Sequence, residues 1–332
     1  MKQINFRSWT AQQITSAVIV AGSTLMLLMT LHPELILRNN TPTGGDMGAH
    51  VYGPAFLRDF LLPHFRLTGW SNDWYSGFPM YRFYMVLPAL AVLLVDLILP
   101  YGIALKIIAV LGILTLPVCV WLFGKFAKFL FPIPELLTLA SVVFLYDESF
   151  TIYGGNIAST MAGEFSFSIS LSLAILTFGL LIRAFEEHRG KMLTAVVLAL
   201  GALSHGIVLL FVFGGVVLLA AIWYTKKTTI TAVTISVTAI LLSSFWVLPF
   251  LTGHAYMTDM KYEPRPSGAS DSFWKMYFPL ATFWDALIFV FACVGFAVFV
   301  KRRNRTGIWM GVYCVVLVFG VYFGRESLPV IG

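Results

Sequence analysis

Apolar residues run along this chain in long, nearly uniform blocks joined by short polar stretches. Blocks of this length are too apolar all round for amphipathic helices and read as membrane-crossing helices. They cover residues 14–37, 103–123, 135–146, 165–182, 192–223, 228–250, 280–300 and 306–323. The block 192–223 is too long for one crossing and divides at Ser204-His205-Gly206 into a hairpin. The pattern predicts an all-α polytopic transmembrane bundle of about nine spans, forming one domain over residues 1–332.

One apolar stretch, 83–99, decides the topology. Its 17 residues give about 25 Å of helix against a hydrocarbon core of roughly 30 Å. If it crosses, Lys125, Lys128, Arg183, Arg189, Lys191, Lys226, Lys227, Lys301, Arg302, Arg303 and Arg305 all fall outside. If it is embedded or re-entrant, all of them face the cytoplasm, as the positive-inside rule favours. The same rule puts the N-terminus, with Lys2 and Arg7, in the cytoplasm of a multi-pass cell-membrane protein. That run continues to Leu37 without a small-residue cleavage site, so it reads as a retained first span. Three outer loops then follow, 38–102, 146–164 and 251–279. Within the first, residues 51–62 have the spacing of an interfacial amphipathic helix. Trp70, Trp74, Tyr75 and Tyr81 suit the aromatic belt at headgroup level.

Composition narrows the class. Of 332 residues, 58% are apolar and 11% charged, against roughly 25% charged in a soluble domain. The net charge of +6 resides mostly in the short joints, where it sets orientation. It does not form a nucleic-acid-binding patch. Cys119, Cys293 and Cys314 lie singly in apolar runs and read as small core residues.

Against this background the acidic residues carry the chemistry. The topology gathers Asp46, Asp73, Asp147, Glu148, Glu164 and His205 toward the outer face. Asp59, Asp73 and Asp271 read as ordinary solvated loop carboxylates. Asp46 differs: it sits in Gly44-Gly45-Asp46-Met47-Gly48, where glycines let a ligand approach and leave the carboxylate unshielded. His50 follows four residues on and shares its face if the segment is helical. Glu164 opens the span at 165 and suits either a helix N-terminus or a functional role. Asp147, Glu148 and Asp46 are oxygen donors that suit a divalent cation such as Mg or Mn, although their spacing defines no closed site. His205 at a hairpin tip reads as an interface residue or as a ligand.

These features together resemble the GT-C glycosyltransferases: a first span, an outer loop with an early acidic residue in Gly-Asp-Met-Gly-Ala-His, embedded helices, and a second acidic loop. Residues 69–79 (Gly-Trp-Ser-Asn-Asp-Trp-Tyr-Ser-Gly-Phe-Pro) and 152–165 (Ile-Tyr-Gly-Gly-Asn-Ile-Ala-Ser-Thr-Met-Ala-Gly-Glu-Phe) are similar to a narrower group. These are actinobacterial membrane proteins labelled as 6-pyruvoyl-tetrahydropterin synthase-related. The label implies no pterin chemistry here, since the chain shows no zinc-ligand histidine cluster. Members of that group are longer, so this chain reads as an N-terminal portion of their architecture.

The resemblance implies a glycosyltransferase with a polyprenyl-phosphate sugar donor and a cell-envelope glycan or lipid acceptor, acting among membrane lipids at the outer face. Asp46 would be the catalytic base. Arg82 or Lys106 would pair with the donor phosphate, Asp147 and Glu164 would hold a metal or the acceptor, and His50 and His205 would line the pocket. Two other classes stay open: a lipid or solute transporter or flippase, and a non-catalytic scaffold of envelope assembly. A transporter would be expected to carry mid-span charges, whereas Asp96, Lys106 and Asp285 lie near span ends.

Overall fold

Helix α1 (Ala11–Thr30) begins on a capping box. Thr10 Oγ1 accepts from the Gln13 amide, and Gln13 Oε1 accepts from the Thr10 amide at 2.9 Å, satisfying two orphan donors of the first turn. The computed structural model that shows this describes residues 9–74, 76–148, 151–257 and 283–324. Lys2, Arg7, Tyr75, the third outer loop beyond Met257 (Asp271 included) and the first residues of the block at 280 lie outside the described residues.

The expected first span of 14–37 is shorter in the structure. Pro33 lacks an amide hydrogen and His32 adopts a left-handed conformation, so α1 stops at Thr30 and a single turn, α2 (Pro33–Ile36), follows. Chain order then gives α3 (Met47–Phe56), a π turn (Leu57–Leu61), a 3₁₀ turn (Leu62–His64), and a two-stranded hairpin, β1 (Gly69–Ser71) with β2 (Phe78–Met80). The strands pair antiparallel with Trp70 opposite Pro79. This hairpin was not read from the sequence and is the one departure from an all-α fold among the described residues. The helix expected over 51–62 starts earlier, at Met47.

Helix α4 (Leu87–Asp96) occupies the stretch on which the topology turns. Ten residues make about 15 Å of helix, half the hydrocarbon thickness. Its length therefore suits an embedded element. Next come α5 (Tyr101–Phe126), α6 (Ile133–Leu145), a short α7 (Ile157–Ser159) leading through a π turn (Thr160–Glu164) into α8 (Phe165–Glu187), then α9 (Lys191–Ser204), α10 (Gly206–Ile222) and α11 (Lys226–Gly253). Two further helices, α12 (Phe283–Lys301) and α13 (Arg305–Gly324), complete the described chain. Four helical stretches are long and apolar enough to cross a membrane: Ala11–Thr30, Tyr101–Phe126, Ile157–Glu187 and Lys226–Tyr256. The other blocks expected to cross are helical, with shorter apolar stretches at Ile133–Leu145, Lys191–Ser204, Gly206–Ile222, Ala286–Lys301 and Arg305–Gly320 among the described residues. The break inside 192–223 falls at His205, as its sequence suggested.

By internal packing the chain divides into two compact units, residues 1–212 with 230–254, and residues 213–229 with 255–332. In the second, Trp309 Nε1 donates to the Gly215 carbonyl at 3.1 Å and its ring stacks on Tyr313. The first unit holds the candidate chemistry. There α8 lies between α5 and α9, while α1 packs on α5 and α6. Buried serines make the close approach possible: Ser172 Oγ donates to the Gly112 carbonyl of α5 at 2.9 Å, and Ser170 Oγ to the Gly201 carbonyl of α9 at 2.8 Å. Small residues and hydroxyls that reach a neighbouring backbone are what helix packing in lipid relies on, because apolar burial gives little preference there.

A second close approach fixes the first loop. The Asp46 amide donates to the Ala162 carbonyl at 2.7 Å. A methyl added at Gly45 would run into that same carbonyl, and one added at Gly163 would come within 2.8 Å of Asp46 Cβ. Gly45 (φ 50°) and Gly163 (φ 131°) are also in backbone conformations that side chains disfavour. Gly44 (φ 98°) has open space around it. Gly45→Ala should therefore lower the thermal midpoint of the detergent-solubilised protein clearly more than Gly44→Ala. Both variants carry backbone strain of about 1–3 kcal/mol, but only Gly45→Ala adds a steric overlap. Equal midpoints, followed by circular dichroism, would show that the two segments are not held in contact.

Candidate functional site

The glycine contact sets Asp46 just ahead of α3 and Glu164 just ahead of α8. Each carboxylate is followed at once by a buried anchor, Met47 and Phe165, which pack in one apolar cluster with Val92, Leu105 and Ile108. Anchoring the next residue fixes where each acid stands. Neither acid spends its side chain on capping its own helix. His50 lies one turn along α3, where its amide closes the first helical bond to the Asp46 carbonyl. Its ring meets Phe165 edge-on at 4.8 Å between centroids and lies 5.8 Å from Tyr84. Burial holds the His50 imidazole below its ordinary pKa. The Asp46 charge and the Gly163 carbonyl oppose that shift without cancelling it.

Asp46 and His50 open onto a cavity of about 240 Å³ walled by Trp74, Phe78, Tyr81, Tyr84, Phe165 and Ser166, among others. Hydrogen bonds reaching across the unit hold the wall. Trp246 Nε1 of α11 donates to the Tyr81 carbonyl at 3.1 Å and to the Tyr84 carbonyl at 3.0 Å. The Tyr52 hydroxyl pairs with Ser71 Oγ at 2.6 Å and donates to Asp73 at 3.2 Å, and its ring stacks on Trp74. Desolvation pushes the Tyr84 phenol up to about 12, and the Glu164 and Asp46 charges add to that shift. Tyr84 therefore stays a neutral donor beside the two acids. Tyr81, expected in the aromatic belt, is instead 5% exposed and part of the core. The wall-forming roles of Tyr84, Phe165 and Ser166 were not foreseen. A signal was present in the aromatic run Tyr81–Tyr84 just before a helix too short to span.

Glu164 stands on the far side of the glycine contact. Its Oε2 is 3.8 Å from Nε2 of His205. His205, at the joint between α9 and α10, packs edge-on against Phe167 at 5.1 Å, and its Nδ1 is buried without a hydrogen-bond partner. The structure thus brings Asp46, His50, Glu164 and His205 together. The remaining candidates stand apart from this group. Lys106 Nζ is committed to holding the segment after α1: it donates to the Leu35 and Arg38 carbonyls at 2.5 Å each and to Asn40 Oδ1 at 2.8 Å. Arg82 follows Tyr81 of the cavity wall and lies beside Gly253 at the end of α11. Asp147 accepts at its backbone carbonyl from Asn156 Nδ2 at 2.5 Å and does not line the cavity. Among the described residues, no three His, Cys, Asp or Glu side chains gather as metal ligands. Asp147 and Glu164, expected to hold a Mg or Mn ion, are therefore not part of any such group.

Burial lowers the His205 pKa to about 4 from an ordinary value near 6.5. An unfolded chain would take up this proton near pH 6.5, whereas the folded chain does so only near pH 4. Stability is therefore fully present above pH 6.5 and falls as the pH drops from 6.5 to 4. His205→Gln should flatten this acid limb of the thermal midpoint, measured between pH 7.5 and 4.5, because the variant has no imidazole whose protonation burial opposes. An unchanged limb in the variant would assign the acid sensitivity elsewhere.

Comparison with known proteins adds the family and no specific activity. No curated protein and no solved structure matches the chain. A family model for the 6-pyruvoyl-tetrahydropterin synthase related domain, described as a membrane protein, matches residues 74–330. That stretch takes in the part of the cavity wall from Trp74 to Ser166, the glycine-rich loop ahead of α8 and every helix from α4 onward, while Asp46 and His50 precede it, and the chain belongs to this membrane-protein family.

Proposed function

We propose that this protein is a membrane glycosyltransferase of the GT-C type, moving a sugar from a polyprenyl phosphate to a hydroxyl of a cell-envelope glycan or lipid at the extracytoplasmic face. The observation that carries this reading is the exposed Asp46 carboxylate, held rigidly by the glycine contact at the edge of an aromatic cavity. Aromatic walls suit the apolar faces of a sugar ring, and a few convergent polar groups fix its orientation. At about 240 Å³ the cavity suits one ring, which leaves the lipid tail to lie along the protein surface.

In this mechanism the acceptor oxygen attacks the anomeric carbon of the donor sugar. The bond from that carbon to the phosphate oxygen breaks, and polyprenyl phosphate leaves with the electron pair. Ionised Asp46 takes the acceptor proton as the new glycosidic bond forms. His50, whose pKa burial lowers so that it is neutral at pH 7, positions substrate beside Asp46. Tyr84 donates to a sugar oxygen. Arg82 pairs with the departing phosphate, since Lys106 already donates to the Leu35 and Arg38 carbonyls and to Asn40 Oδ1. Glu164 and His205 hold the acceptor. The proton transfer uses protein side chains alone.

The test is donor consumption by the purified protein in nanodiscs, with short-chain polyprenyl-phosphate mannose and glucose as probes and an envelope lipid extract as the acceptor source. Asp46→Asn keeps the shape of the side chain and removes the base. It should lower turnover by about 10²–10⁴-fold with an unchanged thermal midpoint and unchanged donor binding. Wild-type turnover in the variant would refute Asp46 as the base. Donor binding without consumption by the wild type would favour a scaffold, and the absence of both would favour transport.

A further inference from the structure

A second cavity, about 1,090 Å³ in volume, runs along α1 from Trp9 to Leu28 and shares no lining residue with the first. One end of it is polar: Thr10, Gln12, Gln13 and Ser16 of α1 face Trp121 and Lys125 of α5 and Glu135 of α6. Apart from Thr24, the rest is apolar, with Ala17, Val20, Leu25, Leu28 and Val118 among its walls. From Ser16 to Leu28 the helix rises about 18 Å, close to the depth of one leaflet.

Glu135 is the unusual residue here. It is only 2% exposed. Its Oε1 accepts from Ser16 Oγ at 2.5 Å and from Trp121 Nε1 at 3.1 Å. Its Oε2 is buried with no partner, and a buried carboxylate oxygen left unpaired is costly. Lys125, which also lines the cavity, places its ammonium 5.8 Å from the centre of the Trp121 ring, near enough for Glu135 to feel its charge. An acid and a base thus share the mouth of a slot that is otherwise apolar. The Ser16 hydroxyl now covering the carboxylate belongs to a helix of which only Ser23 and Leu27 are buried, so a small shift of α1 uncovers it.

We propose that this slot is a binding site for one phospholipid with a primary-amine headgroup. The ammonium donates to Glu135, the phosphate pairs with Lys125, and one acyl chain lies between α1 and α5. Charge complementarity selects this occupant. A purely anionic headgroup would leave Glu135 unpaired, and a quaternary ammonium has no N–H to donate.

The test is native mass spectrometry of the full chain released from nanodiscs that contain equal amounts of phosphatidylethanolamine, phosphatidylcholine and phosphatidylglycerol. The wild type should retain one phosphatidylethanolamine in preference to either other lipid by about tenfold or more, the discrimination one charge-assisted hydrogen bond supplies. Glu135→Gln should lose the preference over phosphatidylcholine, and Lys125→Met should weaken retention of both. Equal retention of the three lipids by the wild type would overturn the proposal, and that reading needs no variant to fold. A full preference kept by a folded Glu135→Gln would overturn it too. Unchanged lipid selection in Asp46→Asn would show that the two cavities act separately.

Discussion

The site depends on two peptide segments, more than a hundred residues apart, that touch with no side chain between them. Gly45 and Gly163 supply the missing side chains, and the Asp46 amide closes the contact on the Ala162 carbonyl. Any side chain at Gly45 would push the two segments apart. Because Asp46 and Glu164 are the residues next to these glycines, displacing the backbone would move both carboxylates at once. The glycines therefore determine the spacing of the acids, and the anchors Met47 and Phe165 prevent that spacing from relaxing.

A contact this tight needs a stiff frame, and the frame is built the way helices associate in lipid. Apolar surface is no reason to associate when the solvent is itself apolar, so close backbone approach and interhelical hydrogen bonds take over. Helix α8 carries Ser166, Ser168, Ser170 and Ser172, all buried, and two of them donate to carbonyls on either side. The Trp246 indole, shared between the Tyr81 and Tyr84 carbonyls, does the same for the loop that walls the cavity. That loop would otherwise present unpaired carbonyls to an apolar surrounding, which is expensive. The features that fix the aromatic wall are thus the ones that let irregular backbone persist beside the helices.

Much of the helical framework was legible because apolar block length is a strong signal in a chain with so few charges. The division at Ser204-His205-Gly206 was readable from block length alone. The early end of α1 was less so: Pro33 is visible in the sequence, but the surrounding leucines and isoleucine keep the apolar average high. The β1–β2 hairpin escaped because its strands are three residues long and its turn residues, Asn72 to Gly77, sit among tryptophans that suggest an interface. At the site, the glycines around Asp46 pointed to a close approach but not to what approaches. The partner, Ala162-Gly163, is identifiable only in three dimensions. Lys106 shows the opposite limit. A lone cation near a span end looks like a phosphate ligand until three acceptors from the preceding loop are found around it. Glu135 likewise read as the first residue of a span, and nothing local marks it as buried between three helices.

The surroundings of the two carboxylates argue for a division of labour between them. Two acids placed close together do different work when their environments differ. Asp46 is exposed, lines the cavity and has the neutral His50 imidazole one turn away, so a hydroxyl entering the cavity meets it first. Glu164 does not line the cavity. It faces His205, whose burial keeps the ring neutral at physiological pH, and so has no fixed cation to hold its charge. Burial and the Asp46 charge raise its pKa, so what distinguishes the two acids is access to the cavity, which Asp46 lines and Glu164 does not. In the proposed reading, access to the cavity is what assigns the proton to Asp46 and leaves Glu164 to bind, and the backbone contact that brings the two acids together also fixes which of them reaches the cavity.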